Sequence, residues 1–363
     1  MKAKRVLVAM SGGVDSSVAA YLLKKEGYDV LGATIQTWAP KDCDKLNTRA
    51  CCSVEGVEDA RGVAAKIGIP YYVFNMEKEF KSAVVDYFTS EYLAGRTPNP
   101  CLACNEKIKF KLFRRRALAL GVDAMATGHY AEVVREEASG RYYIKEGVDK
   151  SKDQSYVLYG LAQEELASLR LPLGPYRKDE IRALAKEAGL RVFDKPDSQE
   201  ICFIPSNDYA TFLKKELSID DQQGLIKTQE GKILGEHPGY FHFTIGQRKG
   251  LGVASPHPLY VIRIDKEKNE LIVGSKEEVK SQRFRVKQLN WMMPINGVRQ
   301  WRFKVKIRSN HKKSEAAVRL LEGGEADVAF ELPQEAVTPG QAAVFYDSDT
   351  VMGGGRIDSL IGE

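Results

Sequence analysis

A short glycine loop between a predicted strand and a predicted helix constrains the fold of this chain more than any other feature. The loop, at residues 11–17, reads Ser-Gly-Gly-Val-Asp-Ser-Ser. It follows the apolar run Arg5–Met10 and leads into Ser16–Glu26, which has helical spacing and stops before Gly27. At such a junction, free backbone N–H groups and the helix dipole favour phosphate binding, and adjacent glycines let a ligand approach the backbone closely.

The side chains of the loop support the same interpretation. The hydroxyls of Ser11, Ser16 and Ser17 are suited to donate to phosphate oxygens. Asp15 is unexpected beside an anion, and we expect a Mg²⁺ ion between its carboxylate and the phosphates. No lysine follows the glycines, so this is not the phosphate loop of ordinary NTPases. The alternative is a tight strand-to-helix turn filled with small residues.

Alternating strands and helices predict the fold around this loop. Asp29–Ile35 reads as a second strand and Tyr71–Asn75 as a third. Between them, one helical face carries Val57, Ala60, Ala64 and Ile67. Strands separated by helices predict an α/β domain with a parallel, doubly wound sheet, whose ligands bind at the carboxyl ends of the strands. Two strand ends, Ala33-Thr34-Ile35 and Thr127-Gly128-His129-Tyr130, are candidate walls of a nucleotide pocket, although either alone is more often a plain strand end.

The chain changes character after Ser206. Asp208–Leu217 is predicted to be a helix, and short β-rich runs punctuated by Gly, Pro and Asn follow from Gly224 onward. These runs are Tyr260–Ile264, Glu270–Val273, Trp301–Ile307, Ala326–Phe330 and Ala342–Tyr346. The pattern predicts an α/β domain at 1–206, a small central domain at 207–282 and a barrel-like β domain at 283–363.

Composition excludes some classes of protein. A net charge of +5 is too small to indicate nucleic acid binding by itself. We find neither a signal-peptide core nor an apolar run of roughly 18 residues, so we expect a cytoplasmic protein. Six cysteines in 363 residues are too few for a disulfide scaffold and favour metal binding or thiol chemistry. We assign no role to Cys43, Cys51 and Cys52.

The pair Cys101 and Cys104 is the strongest candidate for thiol chemistry. It follows the rigid stretch Thr97–Pro100 and precedes the basic helical stretch Asn105–Leu120. A position near a helix N-terminus and several lysines favours the thiolate form. A structural zinc site is the alternative, but it needs two more ligands than one C-x-x-C supplies. Cys202 is the natural third partner, although spacing alone cannot bring it to Cys104 and a lone cysteine is more commonly buried and inert.

Six motifs occur in order along almost the whole chain: SGGVDSS, GRTPNPCLACNEKIKF, TGHY, SKDQSY, DSQEICFIP and HFTIGQRKGLG. The first resembles the phosphate loop of the ATP-pyrophosphatase superfamily, which adenylates substrates and releases pyrophosphate. The whole set resembles the bacterial tRNA-specific 2-thiouridylases, which make 2-thiouridine at the wobble position of certain tRNAs. The resemblance implies a tRNA-uridine 2-sulfurtransferase.

The resemblance also implies roles for residues. Cys104 is expected to be the nucleophile and Cys202 to carry a persulfide. ATP is expected to bind Ala9, Met10, Ser11, Gly12, Gly13, Val14, Asp15, Ser16, Ile35 and Gly128. The target base is expected at Asn99, Pro100 and Cys101, and tRNA at Lys152, Asp153, Gln154, Arg308 and Ser309. Some members carry aspartate at the position of Cys101, so an essential thiol is not expected there.

Two sulfur routes are compatible with these residues. In one, a cysteine desulfurase or sulfur-relay protein loads a persulfide on Cys202, Cys104 releases the sulfur and a disulfide remains. In the other, Cys101, Cys104 and Cys202 hold three irons of a [4Fe–4S] cluster whose fourth iron carries hydrosulfide. Three candidate thiols favour the cluster slightly.

A basic strand is the candidate RNA surface. In Trp301–Arg308 the basic residues alternate with apolar ones, which predicts a row of four cations: Arg302, Lys304, Lys306 and Arg308. Gln247–Gly250 and Arg114–Arg116 are further candidate phosphate contacts. A solvated strand face is the alternative. Other functions also remain open, either another ATP-pyrophosphatase, which needs no Cys104 and Cys202, or a metal-stabilised RNA-binding protein, which needs no phosphate loop.

Overall fold

The computed structural model describes residues 4–37, 54–197, 201–204 and 208–362. The chain divides into two compact units. Unit 1 comprises Met1–Val85, Cys101–Asn207 and Asp349–Met352, and unit 2 comprises Asp86–Pro100, Asp208–Ser348 and Gly353–Glu363. Cys43, Cys51 and Cys52 lie outside the described residues. No helix in the described ranges is both long enough and apolar enough to span a membrane.

The α-helices are α1 (Val14–Lys25), α2 (Val54–Ile67), α3 (Glu77–Phe80), α4 (Asp86–Leu93), α5 (Pro100–Ala103), α6 (Arg114–Ala119), α7 (Gln163–Ala167), α8 (Lys178–Glu187) and α9 (Tyr209–Leu217). Two π-helical segments, π1 (Lys81–Val85) and π2 (Cys104–Phe113), join α3 to α4 and α5 to α6. The strands of unit 1 are β1 (Arg5–Ala9), β2 (Asp29–Gln36), β3 (Tyr71–Asn75), β4 (Ala124–Ala126), β5 (Ala131–Arg135), β6 (Tyr142–Glu146) and β7 (Leu169–Arg170).

Unit 1 is built on a sheet with the strand order β3-β2-β1-β4-β7. Each adjacent pair of strands in it is parallel. The order runs one way from β1 to β3 and the other way from β1 to β7, so winding reverses between β1 and β4. This confirms the predicted doubly wound sheet and locates its ligand crevice at the carboxyl ends of β1 and β4.

Both faces of this sheet are covered. Val6, Leu7 and Val8 are consecutive in β1 and each is 0% exposed, although successive strand residues point to opposite faces. One face packs in a core that includes Val18 of α1, Ala60 of α2 and Ile181 of α8 with strand residues. Burial on both faces explains why β1 reads as a continuous apolar run rather than as an alternating one.

The helical segment from α5 through π2 to α6 carries the C-x-x-C pair. Pro100 is the first residue of α5, a position that suits proline because its missing N–H would have no helical partner. The segment ends before Gly121, whose φ of +75° is typical of a helix end. Buried Ile108, Phe110 and Phe113 anchor π2. Long π-helical segments are rare, and π-helical turns are frequent at functional sites.

Unit 2 contains a sheet and a closed barrel. The sheet has the order β10-β11-β8-β9, formed by β8 (Gly224–Lys227), β9 (Ile233–His237), β10 (Tyr260–Asp265) and β11 (Glu270–Gly274). The barrel strands are β12 (Lys280–Trp291), β13 (Gln300–Lys306), β14 (Ser314–Leu320), β15 (Ala326–Glu335), β16 (Ala342–Asp347) and β17 (Thr350–Leu360), of which residues 350–352 are counted with unit 1. Their order is β12-β15-β14-β13-β16-β17, and β17 pairs back to β12. The predicted small β domains after the α/β domain are confirmed.

One segment inside the first 206 residues belongs to unit 2. In Asp86–Pro100, Phe88 lies 6.3 Å from Phe212 between ring centroids, and Tyr92 stacks on Tyr209 at 4.9 Å. The sequence predicts a continuous domain at 1–206 that includes this segment. Its helical pattern carries no sign that its aromatic side chains pack against residues more than 100 positions later.

Candidate functional site

The glycine loop has the backbone that phosphate binding requires. Gly12 has a φ of +74°, and a Cβ atom there would lie 2.2 Å from the carbonyl oxygen of Gly56, so only glycine is tolerated. Gly13 is the N-cap of α1 and provides no side-chain hydrogen bond to the first turn. Helix α1 begins at Val14, two residues before the predicted start. Its first N–H groups therefore face the loop without a side-chain cap, as an anion site needs.

The three serines of the loop differ in their surroundings. Ser17 is 0% exposed and donates to the carbonyl oxygen of Gly13 at 2.8 Å, which makes it structural rather than a phosphate donor. Ser16 accepts from the backbone N–H of Ser11 at 3.1 Å, and the two hydroxyls are 3.3 Å apart. Ser11 is half-buried. The candidate hydroxyls for a ligand are thus Ser11 and Ser16.

The neighbouring strand ends lie at the same edge of the sheet as the loop. Ala9 ends β1, Ile35 lies near the end of β2 and Gly128 lies just after β4, so the predicted ATP residues share one edge of the sheet. A Cβ atom at Gly128 would lie 2.7 Å from the backbone nitrogen of Ser16, so the chain after β4 packs directly on the first turn of α1. Thr34 donates to the carbonyl oxygen of Met10 at 2.6 Å and ties β2 to the loop.

Lys178, which is not among the predicted site residues, pairs with Asp15 and neutralises its charge. The ammonium of Lys178 lies 2.7 Å from Oδ1 and 2.8 Å from Oδ2 of Asp15. Tyr130 donates its hydroxyl to Oδ1 at 2.7 Å. Burial, followed by the charge of Asp15, raises the pKa of Tyr130, so the tyrosine remains a donor. No local sequence pattern indicates Lys178, because it lies 163 residues beyond Asp15 in a helix without a phosphate motif.

Asp197 is a second carboxylate that contacts the ammonium of Lys178. It lies 2.8 Å from Lys178, 2.8 Å from Lys152 and 3.1 Å from Arg182. Burial alone would raise the pKa of Asp197, but hydrogen bonds from Lys152 and Lys178 outweigh it and lower the pKa to about 2. Asp15, Lys178, Asp197, Lys152 and Arg182 form what we call the Lys178 cluster.

The predicted tRNA segment 152–154 makes internal contacts in unit 1. Lys152 pairs with Asp197 in the Lys178 cluster. Asp153 accepts from the backbone N–H of Gly147 at 3.2 Å and from Ser155. Gln154 accepts from the backbone N–H of Tyr130 at 3.0 Å. These contacts organise the turn beside the phosphate loop, and a role in binding tRNA stays a prediction.

The described cysteines differ in exposure. Cys101 is exposed, whereas Cys104 and Cys202 are half-buried. Cys104 is the first residue of π2, and the next residue, Asn105, is 2% exposed. The Asn105 side chain donates to the carbonyl oxygen of Val157 at 3.3 Å. Next to Cys202, Phe203 packs its ring 5.6 Å from that of Phe80. Each predicted reactive thiol therefore has a firmly buried chain neighbour.

His129 is a buried, neutral side chain. Its Nδ1 lies 2.7 Å from the hydroxyl oxygen of Thr127, and its ring lies 5.8 Å from that of Phe110. Burial, and secondarily the charge of Lys109, holds the pKa of His129 well below its usual value. An imidazole that stays neutral near pH 7 is suited to hydrogen bonding rather than to donating a proton as a general acid.

The predicted basic row is shorter than expected. Arg302 and Lys304 are exposed, but Lys306 is only 8% exposed, so the alternation breaks there. Arg302 pairs with Glu331 at 3.1 Å, and Lys304 lies 3.8 Å from Glu315. The prediction of four cations in line is therefore wrong, because Lys306 is buried. The two exposed cations, Arg302 and Lys304, have acidic partners on neighbouring strands. Arg308 is half-buried and Ser309 is exposed; their predicted tRNA contact stays a prediction.

The other basic clusters also differ from the prediction. Arg114 donates to Ser168 at 2.7 Å and to the carbonyl oxygen of Glu164, and Arg116 pairs with Glu79. Among Arg114, Arg115 and Arg116, only Arg115 is exposed. Arg248 and Lys249 are both exposed and remain candidate phosphate contacts.

The side chains do not fit the expected metal groups. The Asp15 carboxylate is bonded through both oxygens to an ammonium, which fills the position expected for Mg²⁺. Within the described residues, no three His, Cys, Asp or Glu side chains are close enough to hold a metal ion. Since Cys101, Cys104 and Cys202 are all described, they do not form a cluster site in this structure. We therefore derive no step through either group.

Comparisons with known proteins agree with the fold and the motifs. Residues 4–206 match a family model described as the tRNA methyl transferase HUP domain. Residues 210–275 match the tRNA methyl transferase PRC-barrel domain, and residues 281–357 match the aminomethyltransferase beta-barrel domain.

Full-length relatives are similar over the whole chain. The chain is 50% identical over 361 residues to tRNA-specific 2-thiouridylase MnmA 1 of Thermoanaerobacter sp. (strain X514), covering 99% of each protein. It is 48% identical over 358 residues to tRNA-specific 2-thiouridylase MnmA of Acetivibrio thermocellus, covering 98% of this chain and 100% of the relative. Together with the phosphate loop and the ordered motifs, this similarity shows that the chain belongs to the tRNA-specific 2-thiouridylase family.

Proposed function

We propose that this chain catalyses ATP-dependent 2-thiolation of the wobble uridine, position 34, in the tRNAs for glutamate, lysine and glutamine. The observation that carries the proposal is the phosphate loop at the carboxyl edge of a doubly wound sheet, in a chain half identical to 2-thiouridylases over its full length. The loop supports ATP binding, and the family supports uridine as the group that ATP activates.

Activation is needed because C2 of uracil is a weak electrophile with a poor leaving group. In the first step, O2 of the uracil attacks the α-phosphate of ATP, and pyrophosphate leaves. We assign to the amides of the loop and the first turn of α1 the stabilisation of charge on the phosphates. The adenylated uracil then has AMP as a good leaving group at C2. The base must be splayed out of the anticodon loop to reach such a site.

We assign sulfur delivery to Cys104 and Cys202. A cysteine desulfurase or a sulfur-relay protein loads a terminal sulfur on Cys202. The Cys104 thiolate attacks the inner sulfur of that persulfide, forms a Cys104–Cys202 disulfide and releases hydrosulfide. Hydrosulfide attacks C2 and displaces AMP, and a thiol reductant returns two electrons to the disulfide. Asn99, Pro100 and Cys101 are proposed to border the base.

The test is reconstitution with purified components. Protein, ATP, unmodified glutamate tRNA and a desulfurase with cysteine are expected to yield 2-thiouridine, measured by mass spectrometry of nucleosides, with one AMP and one pyrophosphate per product. Cys104→Ser and Cys202→Ser should each abolish persulfide-dependent product. Cys43→Ser, at a cysteine without an assigned role, is the matched control. Full activity of both test variants, or ATP cleavage to ADP, would contradict the mechanism.

A further inference from the structure

The positive charge beside the phosphate loop belongs to the protein itself. Lys178 bonds both oxygens of Asp15, and Asp15 lies in the first turn of α1, two residues after Gly13. We infer that Lys178 is an ATP-binding residue whose ammonium contacts the phosphate chain at this loop. The inference rests on the ATP-binding part of the proposed function and adds a residue that no motif indicates.

The electrostatics of the loop require such a cation. A carboxylate in the first turn competes with phosphate for the positive end of the helix dipole, and it repels a bound anion. Asp15 creates this conflict in a loop otherwise shaped for phosphate. An ammonium at 2.7 Å cancels the charge of the carboxylate and is itself attractive to a phosphate oxygen.

Lys178 is fixed rather than mobile. It is the first residue of α8, and its backbone N–H donates to Asp149 at 3.0 Å. Its side chain is only 12% exposed. Ile181 of α8 and Val18 of α1 share one buried core, which holds the two helices together. The ammonium is therefore positioned before a ligand arrives, and little conformational freedom is lost on binding.

The rest of the Lys178 cluster leaves charge available for a ligand. Two carboxylates, Asp15 and Asp197, face three cations, Lys178, Lys152 and Arg182, so these five groups carry a net charge of +1. If a phosphate oxygen takes one donor of Lys178, Asp197 keeps its bonds to Lys152 and Arg182. Asp15 likewise keeps the hydroxyl of Tyr130. The exchange leaves neither carboxylate unpaired.

The competing explanation is that Lys178 and Asp15 form a purely structural ion pair. Comparing the binding of ATP with that of adenosine distinguishes the two explanations. Adenosine has the base and ribose of ATP without the phosphates. Loss of a phosphate contact weakens ATP binding alone, whereas a distorted pocket weakens both ligands. Lys178→Met keeps the length of the side chain without its charge. Lys195→Met is the matched control, because Lys195 is a half-buried lysine paired with Asp59 in the same unit.

The experiment is isothermal titration of the full-length variants with ATP and with adenosine, in EDTA and in Mg²⁺. Lys178→Met is expected to weaken ATP binding by about 10- to 100-fold, the effect of one charge-assisted hydrogen bond, and to leave adenosine binding within about twofold. Lys195→Met should change neither. Equal weakening for both ligands, or unchanged ATP affinity, would overturn the inference.

A second variant keeps the test decisive if Lys178→Met does not fold. Asp15→Asn frees the ammonium from its carboxylate, so affinity for ATP in EDTA is expected to be retained or raised. A fall of that affinity to the level of adenosine would show that the freed ammonium does not hold the phosphates, and would overturn the inference. Production of 2-thiouridine by the wild-type protein is measured separately, so failure of the thiolation proposal is distinguishable from failure at Lys178.

Discussion

At the scale of single residues, Asp197 shows how much the Lys178 cluster contributes to the stability of the folded protein. Its side chain is 23% exposed and touches three cations. A carboxyl group whose pKa is about 2 in the folded protein, against an ordinary 3.8, stabilises the fold at every pH above 3.8. That contribution is lost as the pH falls from about 4 towards 2.

We predict that Asp197→Asn lowers the free energy of unfolding by about 2 kcal/mol at pH 6, the equivalent of the lowered pKa. Because acid also neutralises the wild-type carboxylate, the difference between the two proteins should shrink between about pH 4 and pH 2. Urea unfolding, followed by far-ultraviolet circular dichroism at several pH values, measures this difference in the free energy of unfolding. A difference that is independent of pH would mean that the variant loses packing rather than charge.

Residues of the site divide into those that a local pattern predicts and those that it cannot. Gly12 and Gly13 are predictable because a tight turn from strand to helix favours glycine, and Gly12 has the positive φ of +74° that such a turn requires. Lys178 and Asp197 are not predictable in this way. Their role depends on the packing of α8 against α1, which brings together residues 163 positions apart.

At the scale of secondary structure, the alternation of apolar and basic residues along β13 predicts which side chains are buried, but not the charge around the exposed ones. Phe303 and Val305, on the apolar side of the predicted alternation, are buried, and the ring of Phe303 is parallel to that of Phe345 at 6.0 Å. Charge on the outer face is not readable from one strand, because the acidic partners come from other strands of the barrel.

We predict opposite outcomes for two neighbours in β13. Phe303→Ala should destabilise the barrel by about 3 to 5 kcal/mol, because a 6% exposed aromatic ring leaves a cavity. Arg302→Ala, the matched control, should change stability by less than about 0.5 kcal/mol, since its side chain is 83% exposed. Unfolding is followed by the fluorescence of Trp291 and Trp301, with Trp38 replaced by Phe in every variant. Equal effects would contradict the assigned strand faces.

Strand β17 is not among the β-rich runs that the sequence predicts. Its run Gly353-Gly354-Gly355 is typical of a turn, yet all three residues are in the strand. A Cβ atom at Gly353 would lie 2.6 Å from the carbonyl oxygen of Asn290, and one at Gly355 would lie 2.6 Å from that of Lys287. The glycines allow β12 to approach closely where the barrel closes, and that partner is distant in sequence.

At the scale of the whole molecule, the linear order of domains does not coincide with the compact units. The α/β family model matches residues 4–206 as one stretch, whereas Asp86–Pro100 belongs to unit 2. Within unit 2, Phe88 is 0% and Tyr92 is 6% exposed. Their ring partners Phe212 and Tyr209 both follow residue 206, as does Tyr240, which donates to the carbonyl oxygen of Leu93 at 2.8 Å.

A fragment ending at residue 206 should therefore expose the aromatic face of α4, although its phosphate loop and parallel sheet are intact. We predict that this fragment aggregates or binds a hydrophobic dye strongly, because an uncovered apolar patch promotes association. Phe88→Ser with Tyr92→Ser in the same fragment should restore much of the solubility, and the same pair in the full-length chain should lower stability. Light scattering and dye fluorescence measure both effects. A fragment 1–206 that is monomeric without these substitutions would show that Asp86–Pro100 does not depend on the residues that follow.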